Sequence, residues 1–347
     1  MPLVMEKNRI PSRWAGRAAA RLRDSRKPPA ECINIALINN MPDSALEGTE
    51  VQFFELLEAA AENIPVRVQL YSLPKIPRGD WARQHLSSFY LDIDDLWNSR
   101  FFFDGLIMTG TEPQRPNLMD EPYWDALSEV LDWAENNTMS TVLSCLAAHA
   151  GVLYSDGIER YALSHKRFGV FDHTRVCDHP LTSGTAAQMR IPHSRWNDVR
   201  KDALTSCGYA VLTKSAEAGV DLFVKQRGRS LFVYFQGHPE YGALTLLREY
   251  RRDIGRFLRR EREAYPSMPQ GYFDAAGTKT LSDFREKALS DPREELLAIF
   301  PEANVVATLS NTWRSSATQI YRNWLLYLVE EKAGSFAYAG MSPVAAQ

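Results

Sequence analysis

The chain has 347 residues, of which 24% are charged, and a net charge of −3 at pH 7. This length can bury a sizeable core, in one large α/β domain or two smaller ones. The near-neutral charge gives no general attraction to nucleic acid, and the apolar runs are too short to span a membrane. We therefore expect a globular protein whose partners include neither nucleic acid nor a bilayer.

The four cysteines, Cys32, Cys145, Cys177 and Cys207, lie far apart in the sequence. No pair has the spacing of a metal-binding motif, so we expect no metal site. No secretory signal is recognisable at the N-terminus, and free thiols are typical of a reducing compartment. We expect a cytoplasmic protein.

Residues 1–30 form a basic extension, which carries eight lysines and arginines against two acidic residues and closes with Pro28-Pro29. An Arg-rich start can resemble an organellar transit peptide. We favour a solvated, partly helical tail that lies on the domain. The predicted organisation is this extension, a catalytic domain over 31–263, and a C-terminal connector with helices over 264–347 packed on the same domain.

Strands and helices alternate through the first half of the chain. The predicted elements are strands at 33–38, 66–71 and 103–110 and a fourth ending at Cys145, with helices from Thr49, from His85 and over 123–133. This alternation predicts a mostly parallel sheet with helices on both faces. Ligands bind such sheets at the carboxyl ends of the strands, where Gly110 and Cys145 both fall.

The second half has a different pattern. Short extended runs and many turns are predicted over 161–237, with a hairpin of 221–224 and 230–234 joined through Gly228. Helices are predicted over 244–263, near 281–299 and near 315–331. The last two predict a C-terminal helical extension.

Cys145 stands at the junction between an apolar, β-branched run and an Ala-rich run that favours helix. A cysteine there faces the first backbone N–H groups of the next helix. Those groups and the helix dipole favour a thiolate and can hold an oxyanion, which the N–H of Leu146 is placed to do. The alternative is a buried, inert cysteine.

His238-Pro239-Glu240 follows a Gly at the end of an apolar strand. A thiol nucleophile needs a base, and the base needs a group to orient it. Pro239 stiffens the turn, and the spacing lets the Glu240 carboxylate approach one imidazole nitrogen while the other serves the thiol. Taken together, Cys145, His238 and Glu240 form the predicted catalytic set.

These residues sit among many others that match one family in order and spacing. The matching segments are Asn40-Met41-Pro42, Thr49-Glu50, His85-Leu86, Phe103 to Gly110, Tyr123-Trp124, Cys145, Phe168-Gly169-Val170, Pro192-His193-Ser194-Arg195, Gly237 to Tyr241, Arg252-Asp253, Trp313-Arg314-Ser315 and Asn323-Trp324-Leu325. The chain resembles the homoserine O-acyltransferases of methionine biosynthesis, usually named homoserine O-succinyltransferases. The resemblance implies a flavodoxin-like, class I glutamine-amidotransferase-like sheet.

The same resemblance implies roles for single residues. Cys145 would take the acyl group from acyl-CoA as an enzyme thioester and pass it to homoserine in a ping-pong reaction, with His238 as base and Glu240 orienting it. Lys166, Ser194 and Arg252 match substrate-binding positions, and the Arg252 fork suits a carboxylate. No cofactor is expected beyond acyl-CoA as co-substrate. The oligomeric state stays open, with a homodimer as one option.

Two segments depart from the family pattern. Cys145-Leu146-Ala147-Ala148-His149 replaces Cys-Trp-Gly-Ala-Gln, and we expect His149 to be a packed or capped histidine. Gln114 falls at the position that is Gly in succinyl-CoA users and Glu in acetyl-CoA users. Its amide argues mildly against succinyl, whereas Arg115 beside it could pair with a succinyl carboxylate.

Several functions therefore remain open from the sequence. The favoured one is homoserine O-succinyltransferase, and the near alternatives are an acetyl-CoA user or an enzyme acting on serine. A glutamine amidotransferase module would use the same three side chains to release ammonia. A binding protein that has lost catalysis is the remaining class, and the altered residues after Cys145 are its support.

Overall fold

An eight-stranded sheet forms the centre of this computed structural model, which describes residues 3–4, 31–98 and 103–339. In chain order the strands are β1 Leu3–Val4, β2 Ile33–Ile38, β3 Val66–Tyr71, β4 Gly105–Met108, β5 Ser140–Ser144, β6 Tyr161–Arg175, β7 Gln188–Asp198, β8 Ala210–Val211, β9 Thr213–Ser215, β10 Gly219–Val220, β11 Leu222–Arg227 and β12 Ser230–Phe235. The strands of the central sheet lie in the order β1-β3-β2-β4-β5-β12-β11-β8. Residues 5–30, most of the predicted basic tail, lie outside the described residues.

The five strands β3-β2-β4-β5-β12 are parallel to one another. Taken in chain order, they follow the 2-1-3-4-5 arrangement of flavodoxin-like folds. β11 and β8 extend the sheet antiparallel beyond β12. The predicted flavodoxin-like, mostly parallel sheet is therefore confirmed, including the hairpin at 222–235.

Helices cover both faces of this sheet. In chain order they are α1 Leu46–Ala61, α2 Asp80–Phe89, α3 Ile93–Trp97, α4 Trp124–Asn137, α5 Leu146–Asp156, α6 Lys201–Ser206, α7 Thr245–Leu258, α8 Ala275–Ser290, α9 Glu302–Val306 and α10 Arg314–Ala339. Successive side chains of a strand point to opposite faces. Accordingly, Ile35 and Leu37 pack with α1 and α10, whereas Ala36 and Ile38 pack with α4 and α5.

The helix predicted over 244–263 ends at Leu258, and the one predicted near 315–331 continues to Ala339. Two further helices also differ from the sequence predictions. His85 to Phe89 is the last part of α2 and not the start of a helix, because the helix already begins at Asp80. The helix predicted near 281–299 is α8, which ends at Ser290, followed by a separate 3₁₀ segment Glu294–Ile299. Pro292 lies between them, and a proline within a helix would clash with the preceding turn.

A second sheet has the order β10-β9-β6-β7 and is built on one long antiparallel pair. β6 has 15 residues and β7 has 11, so the prediction of short extended runs was wrong here. Much of the first half of β6 is exposed, which gives its sequence the polar character of a loop. Phe168-Gly169-Val170 lies within β6 and pairs with β7.

The C-terminal residues complete two cores. α10 lies over β2 and α1, where Trp324, Leu325 and Leu328 are buried and the Trp324 indole N–H donates to Ser140 Oγ at 2.9 Å. A separate cluster joins α7 and α8 through Tyr250 and Phe284. The division of the chain at residue 263 stays a prediction. Among the described residues, no helix has the length and apolar character needed to cross a bilayer.

Candidate active site

Cys145 occupies a strained turn between β5 and α5. Its φ of 55° and ψ of −113° are unusual for a residue with a side chain, and such a conformation costs about 1–3 kcal/mol. The surrounding structure holds it: the backbone N–H of Cys145 donates to the Phe235 carbonyl of β12 at 2.7 Å. The turn places the thiol at the carboxyl edge of the sheet and next to the N-terminus of α5, as the sequence predicted.

Gly110 follows β4 and lies directly against the start of α5. A Cβ added at Gly110 would be 2.8 Å from the backbone nitrogen of Leu146. The first N–H groups of a helix have no partner within the helix. The N–H of Leu146 is therefore available beside the thiol, and a glycine at position 110 leaves the space in front of it open.

His238 and Glu240 follow the end of β12. The carboxylate Oε1 of Glu240 is 2.8 Å from His238 Nδ1, and both side chains are buried. The imidazole stacks on the Tyr241 ring at 4.1 Å between centroids. One ring nitrogen is thus fixed by the carboxylate, and the ring orientation is fixed by stacking.

The charge state of His238 depends on its neighbours. Burial of the ring favours the neutral form, but the Cys145 sulfur and the Glu240 carboxylate both favour the charged form, through charge and through hydrogen bonds. Their combined effect raises the pKa of His238 well above its ordinary value. A thiol beside such an imidazole can transfer its proton to it and become the nucleophile.

Gly237 holds the His238 backbone in place. The Gly237 N–H donates to Asp221 Oδ1 at 2.6 Å, and the His238 N–H donates to the Pro192 carbonyl at 2.8 Å. A Cβ at position 237 would lie 2.8 Å from Asp221 Oδ1 and from the Pro192 carbonyl oxygen. Glycine is required because the backbone of β12 approaches its neighbours this closely.

A cavity of about 690 Å³ opens beside the thiol and the imidazole. Six of the predicted site residues line it: Cys145, Leu146, Lys166, Ser194, His238 and Arg252. They come from six separate segments, namely the turn after β5, α5, β6, β7, the turn after β12 and α7. Glu240 lies behind His238, outside the lining, as expected for a residue that orients the base.

Glu249 of α7 organises the far wall of the cavity, and the sequence analysis missed it. Its Oε2 accepts from Ser194 Oγ at 2.5 Å and from Lys166 Nζ at 3.4 Å, while its Oε1 accepts from the Tyr241 hydroxyl at 2.7 Å. Lys166 Nζ also lies 3.4 Å from Asp253 Oδ2. Two acidic residues one helix turn apart, on a helix next to the catalytic turn, are the signal that could have revealed this wall.

Arg252 projects from α7 into the mouth of the cavity. Its Nε and one Nη donate to Asp253 Oδ1 at 3.1 and 3.0 Å. Burial opposes the charged form, but the carboxylates of Asp253 and Glu249 raise the pKa of Arg252 above its usual value. The Arg252 side chain is 39% exposed and lines the cavity, so it is accessible to a carboxylate ligand.

Comparisons with known proteins show which family this chain is similar to. The model of the homoserine O-succinyltransferase family matches residues 16–335. A homoserine O-succinyltransferase of Rhodopseudomonas palustris is 46% identical over 306 residues, which cover 88% of this chain and 91% of that protein.

The chain belongs to the homoserine O-succinyltransferase family.

A second member of the homoserine O-succinyltransferase family, from Bradyrhizobium japonicum, is 45% identical over 299 residues, or 86% of this chain and 90% of that protein. Among solved structures, a glutamine amidotransferase of Thermotoga maritima superposes with a TM-score of 0.47 at 13% identity, covering 86% of this chain and 99% of that one. The residues matched by the family model, 16–335, include the central sheet and most of α10.

The two departures from the homoserine O-succinyltransferase pattern have clear positions. His149 is buried in α5, with its Nε2 2.8 Å from the side-chain oxygen of Gln236, which confirms the expected packed histidine. Gln114 is exposed, and its backbone N–H donates to Glu121 Oε1 at 2.6 Å. Within the described chain, the cavity lining reaches Glu112 and Pro113 but not Gln114. The assignment of Gln114 to acyl specificity stays a prediction.

Arg160 also lines the cavity, and the sequence analysis did not single it out. It lies in the connection between α5 and β6 and is half-buried. An arginine in a polar stretch between two elements carries no signal of its own. Its position next to the thiol depends on how α5 and β6 pack, which the local sequence does not reveal.

Proposed function

We propose that this chain is a homoserine O-acyltransferase that moves a succinyl group from succinyl-CoA to the hydroxyl of homoserine. The observation that carries the proposal is the Cys145–His238–Glu240 arrangement on one cavity, in a chain whose sequence belongs to this family throughout. The homoserine O-succinyltransferases of two bacteria named above give the substrate class. The contacts of the cavity support the individual steps.

In the first half-reaction the thiolate of Cys145 attacks the thioester carbonyl of the acyl-CoA. A new C–S bond forms, and the carbonyl oxygen becomes an oxyanion that the Leu146 N–H is placed to stabilise. The intermediate collapses by breaking the C–S bond to CoA. His238 returns the proton to the leaving sulfur, so CoA departs as a thiol and Cys145 carries the acyl group.

In the second half-reaction the homoserine hydroxyl attacks the same carbonyl. His238 removes the hydroxyl proton as the C–O bond forms, and the Cys145 sulfur is the leaving group. Glu240 holds the imidazole in one orientation through both steps. The acyl group stays covalently bound to Cys145 after CoA has left, and the same base serves both half-reactions. Ping-pong kinetics therefore follow.

The far wall of the cavity suits the amino acid. Arg252 can bind the α-carboxylate through its fork, while Glu249 and Asp253 face the same space and can bind the α-ammonium group. Lys166 and Ser194 hold Glu249 in place and border the same volume. The roles of Lys166, Ser194 and Arg252 in substrate binding are part of this proposal.

The charge of the cavity favours an anionic donor. Its lining contains six cationic side chains, Arg160, Lys166, Arg195, Arg252, Arg256 and Arg262, and four carboxylates, Glu112, Glu249, Asp253 and Glu261. The excess positive charge attracts the phosphates of CoA and raises its local concentration. This supports acyl-CoA as the co-substrate, and the chemistry requires no further cofactor.

Intact-mass spectrometry tests the proposal directly. The protein is mixed with succinyl-CoA or acetyl-CoA in the absence of homoserine. We expect the mass of one succinyl group to appear on Cys145, and we expect added homoserine to remove it. Cys145→Ser is the matched control and should show no thioester adduct.

Other results would identify a different function. An acetyl adduct with no succinyl adduct would make the protein an acetyltransferase, and removal of the acyl group by serine alone would change the acceptor. Absence of any adduct, with ammonia released from glutamine, would indicate an amidotransferase. Absence of both would indicate a binding protein without catalysis.

Two further assignments complete the proposal. A cytoplasmic location is supported by the four cysteines, which are all free, Cys145 being one that must stay reduced to react. A homodimer is the oligomeric state that we propose, and equilibrium sedimentation would measure it. Neither assignment affects the chemistry of the site.

A further inference from the structure

Among the residues that the structure describes, Arg160 differs from every other cation of the cavity because it lacks a carboxylate partner. Five cations lie within 4.0 Å of an acid, in the pairs Lys166–Glu249, Arg195–Asp198, Arg252–Asp253, Arg256–Glu112 and Arg262–Asp253. Among the described residues, no acceptor lies within hydrogen-bond or ion-pair distance of the Arg160 guanidinium. A half-buried guanidinium that is left unpaired has lost part of its hydration without compensation.

Arg160 and Cys145 line the same cavity. Burial lowers the pKa of Arg160, while Tyr123, Cys145 and Glu121 act in the opposite direction through their charges. The charge of Cys145 thus acts on the Arg160 guanidinium within the cavity that both residues line. The amino-acid wall of Glu249 and Arg252, in contrast, is built on α7.

Arg160 also adjoins the loop after β4. Glu121 accepts hydrogen bonds from the backbone N–H groups of Gln114 and Arg115 at 2.6 and 2.7 Å. The Tyr123 hydroxyl is buried without a hydrogen-bond partner among the described residues. The segment that contains Gln114 is thus hydrogen-bonded to Glu121, and the charge of Glu121 acts on Arg160.

We propose that Arg160 binds the terminal carboxylate of the succinyl group while the acyl carbonyl lies at Cys145. A succinyl thioester ends in a carboxylate, whereas an acetyl thioester ends in a methyl group. A guanidinium that lines the cavity with the nucleophile, and has no partner in the described part of the chain, is suited to that carboxylate through a bidentate, charge-assisted pair. Arg160 is then the residue that distinguishes the two donors, and this inference rests on the acyltransferase function proposed above.

Arg115 is the competing candidate for this carboxylate. Its backbone N–H is bound to Glu121, but its side chain is exposed, and within the described chain it is not part of the cavity lining. Exposed ion pairs contribute little because water and salt screen them. The contrast between Arg160 and Arg115 can be tested with matched substitutions.

The experiment measures kcat and KM for succinyl-CoA and acetyl-CoA with homoserine as acceptor, in the wild type, Arg160→Met, Arg160→Lys and Arg115→Met. We expect Arg160→Met to lower kcat/KM for succinyl-CoA by about 10- to 100-fold, with no comparable loss for acetyl-CoA. Arg160→Lys should recover part of this loss of kcat/KM, because lysine keeps the positive charge but cannot form a bidentate pair. Arg115→Met should keep the wild-type ratio of the two donors.

Each contrary result has a distinct meaning. Equal losses for both donors with Arg160→Met would show that Arg160 acts on Cys145 or on folding, and an unchanged ratio would show that it does not contact the acyl chain. Loss of succinyl preference in Arg115→Met alone would move the site to that residue. If the wild type forms no thioester on Cys145 with either donor, the proposed function itself fails, which the adduct assay detects separately.

Discussion

Glu240 combines two effects on His238, a hydrogen bond at Nδ1 and a negative charge. Glu240→Gln keeps the size of the side chain but removes the charge and can stabilise the wrong tautomer of the imidazole. We expect kcat to fall by up to about 10⁴-fold. Because Glu240 helps to raise the pKa of His238, that pKa should also fall toward its ordinary value.

The measurement is the pH dependence of Cys145 acylation in the wild type and in Glu240→Gln. A lower pKa for the imidazole would shift the profile to lower pH in the variant. A rate reduced at every pH with an unshifted profile would mean that Glu240 orients His238 without influencing its charge. An unchanged rate would remove Glu240 from the catalytic set.

At the scale of elements, the close approach of the β4 end to the α5 N-terminus determines access to the Leu146 N–H. Gly110→Ala would place a methyl group 2.7 Å from Leu146 Cβ and 2.8 Å from its nitrogen. The turn must then shift away from the position that stabilises the oxyanion. We expect a loss of about a hundredfold in kcat, the effect of removing one oxyanion donor.

Gly48→Ala in α1 is the matched control, because a Cβ there has no atom within 4 Å. It should leave kcat unchanged and stabilise the protein by about 0.5–1 kcal/mol through helix propensity. The measurements are single-turnover acylation and thermal unfolding of both variants. Wild-type kcat in Gly110→Ala would show that the Leu146 N–H does not take part.

The packing of α10 over the sheet gives a second prediction at this scale. Trp324 is 2% exposed and donates to Ser140, whereas Leu326 on the same helix is 39% exposed. We expect Trp324→Ala to lower the free energy of unfolding by about 3–5 kcal/mol. Leu326→Ala should change it by no more than about 0.5 kcal/mol. Urea unfolding of both variants provides the comparison, and equal losses would contradict the placement of α10.

The elements also show what the sequence could predict. The strands that end at Cys145 and before His238 are short, apolar and buried on both faces, so their positions and their common edge followed from composition alone. β6 could not be predicted, because one end is exposed and its register with β7 shifts between Ala162 and Arg167. The cavity wall at Glu249 and the placement of Arg160 depend on contacts between distant segments, which no local pattern encodes.

For the molecule as a whole, buried histidines make stability depend on pH. Burial lowers the pKa of His193 and His173, and it lowers that of His149 to about 3. Unfolded histidines bind protons near pH 6.5, so the unfolded state takes up more protons and stability falls as the pH drops below that value. His238 has a raised pKa and acts in the opposite direction, since its contribution is present below pH 6.5 and lost as the pH rises through its folded value.

His149→Gln isolates one part of this effect. Between pH 7 and pH 5, His149 should lower the free energy of unfolding of the wild type by about 2 kcal/mol. A neutral amide at this position should cause no such loss. The variant should therefore lose less stability than the wild type over this interval, as measured by urea unfolding at both pH values. The exposed His165 offers the control His165→Gln, which should match the wild type. Identical losses in the wild type and His149→Gln would contradict the prediction.

The two sheets divide the reaction between them. The sulfur and the imidazole are held at the edge of the central sheet, whereas Lys166 and Ser194 stand on the long β6–β7 pair. A grafted β6–β7 ribbon from a relative would change the residues at positions 166 and 194, which contact Glu249, and leave the thiol, imidazole and carboxylate in place. Redesign of the acceptor is thus a problem of exchanging this ribbon together with α7, separable from the acyl-transfer machinery.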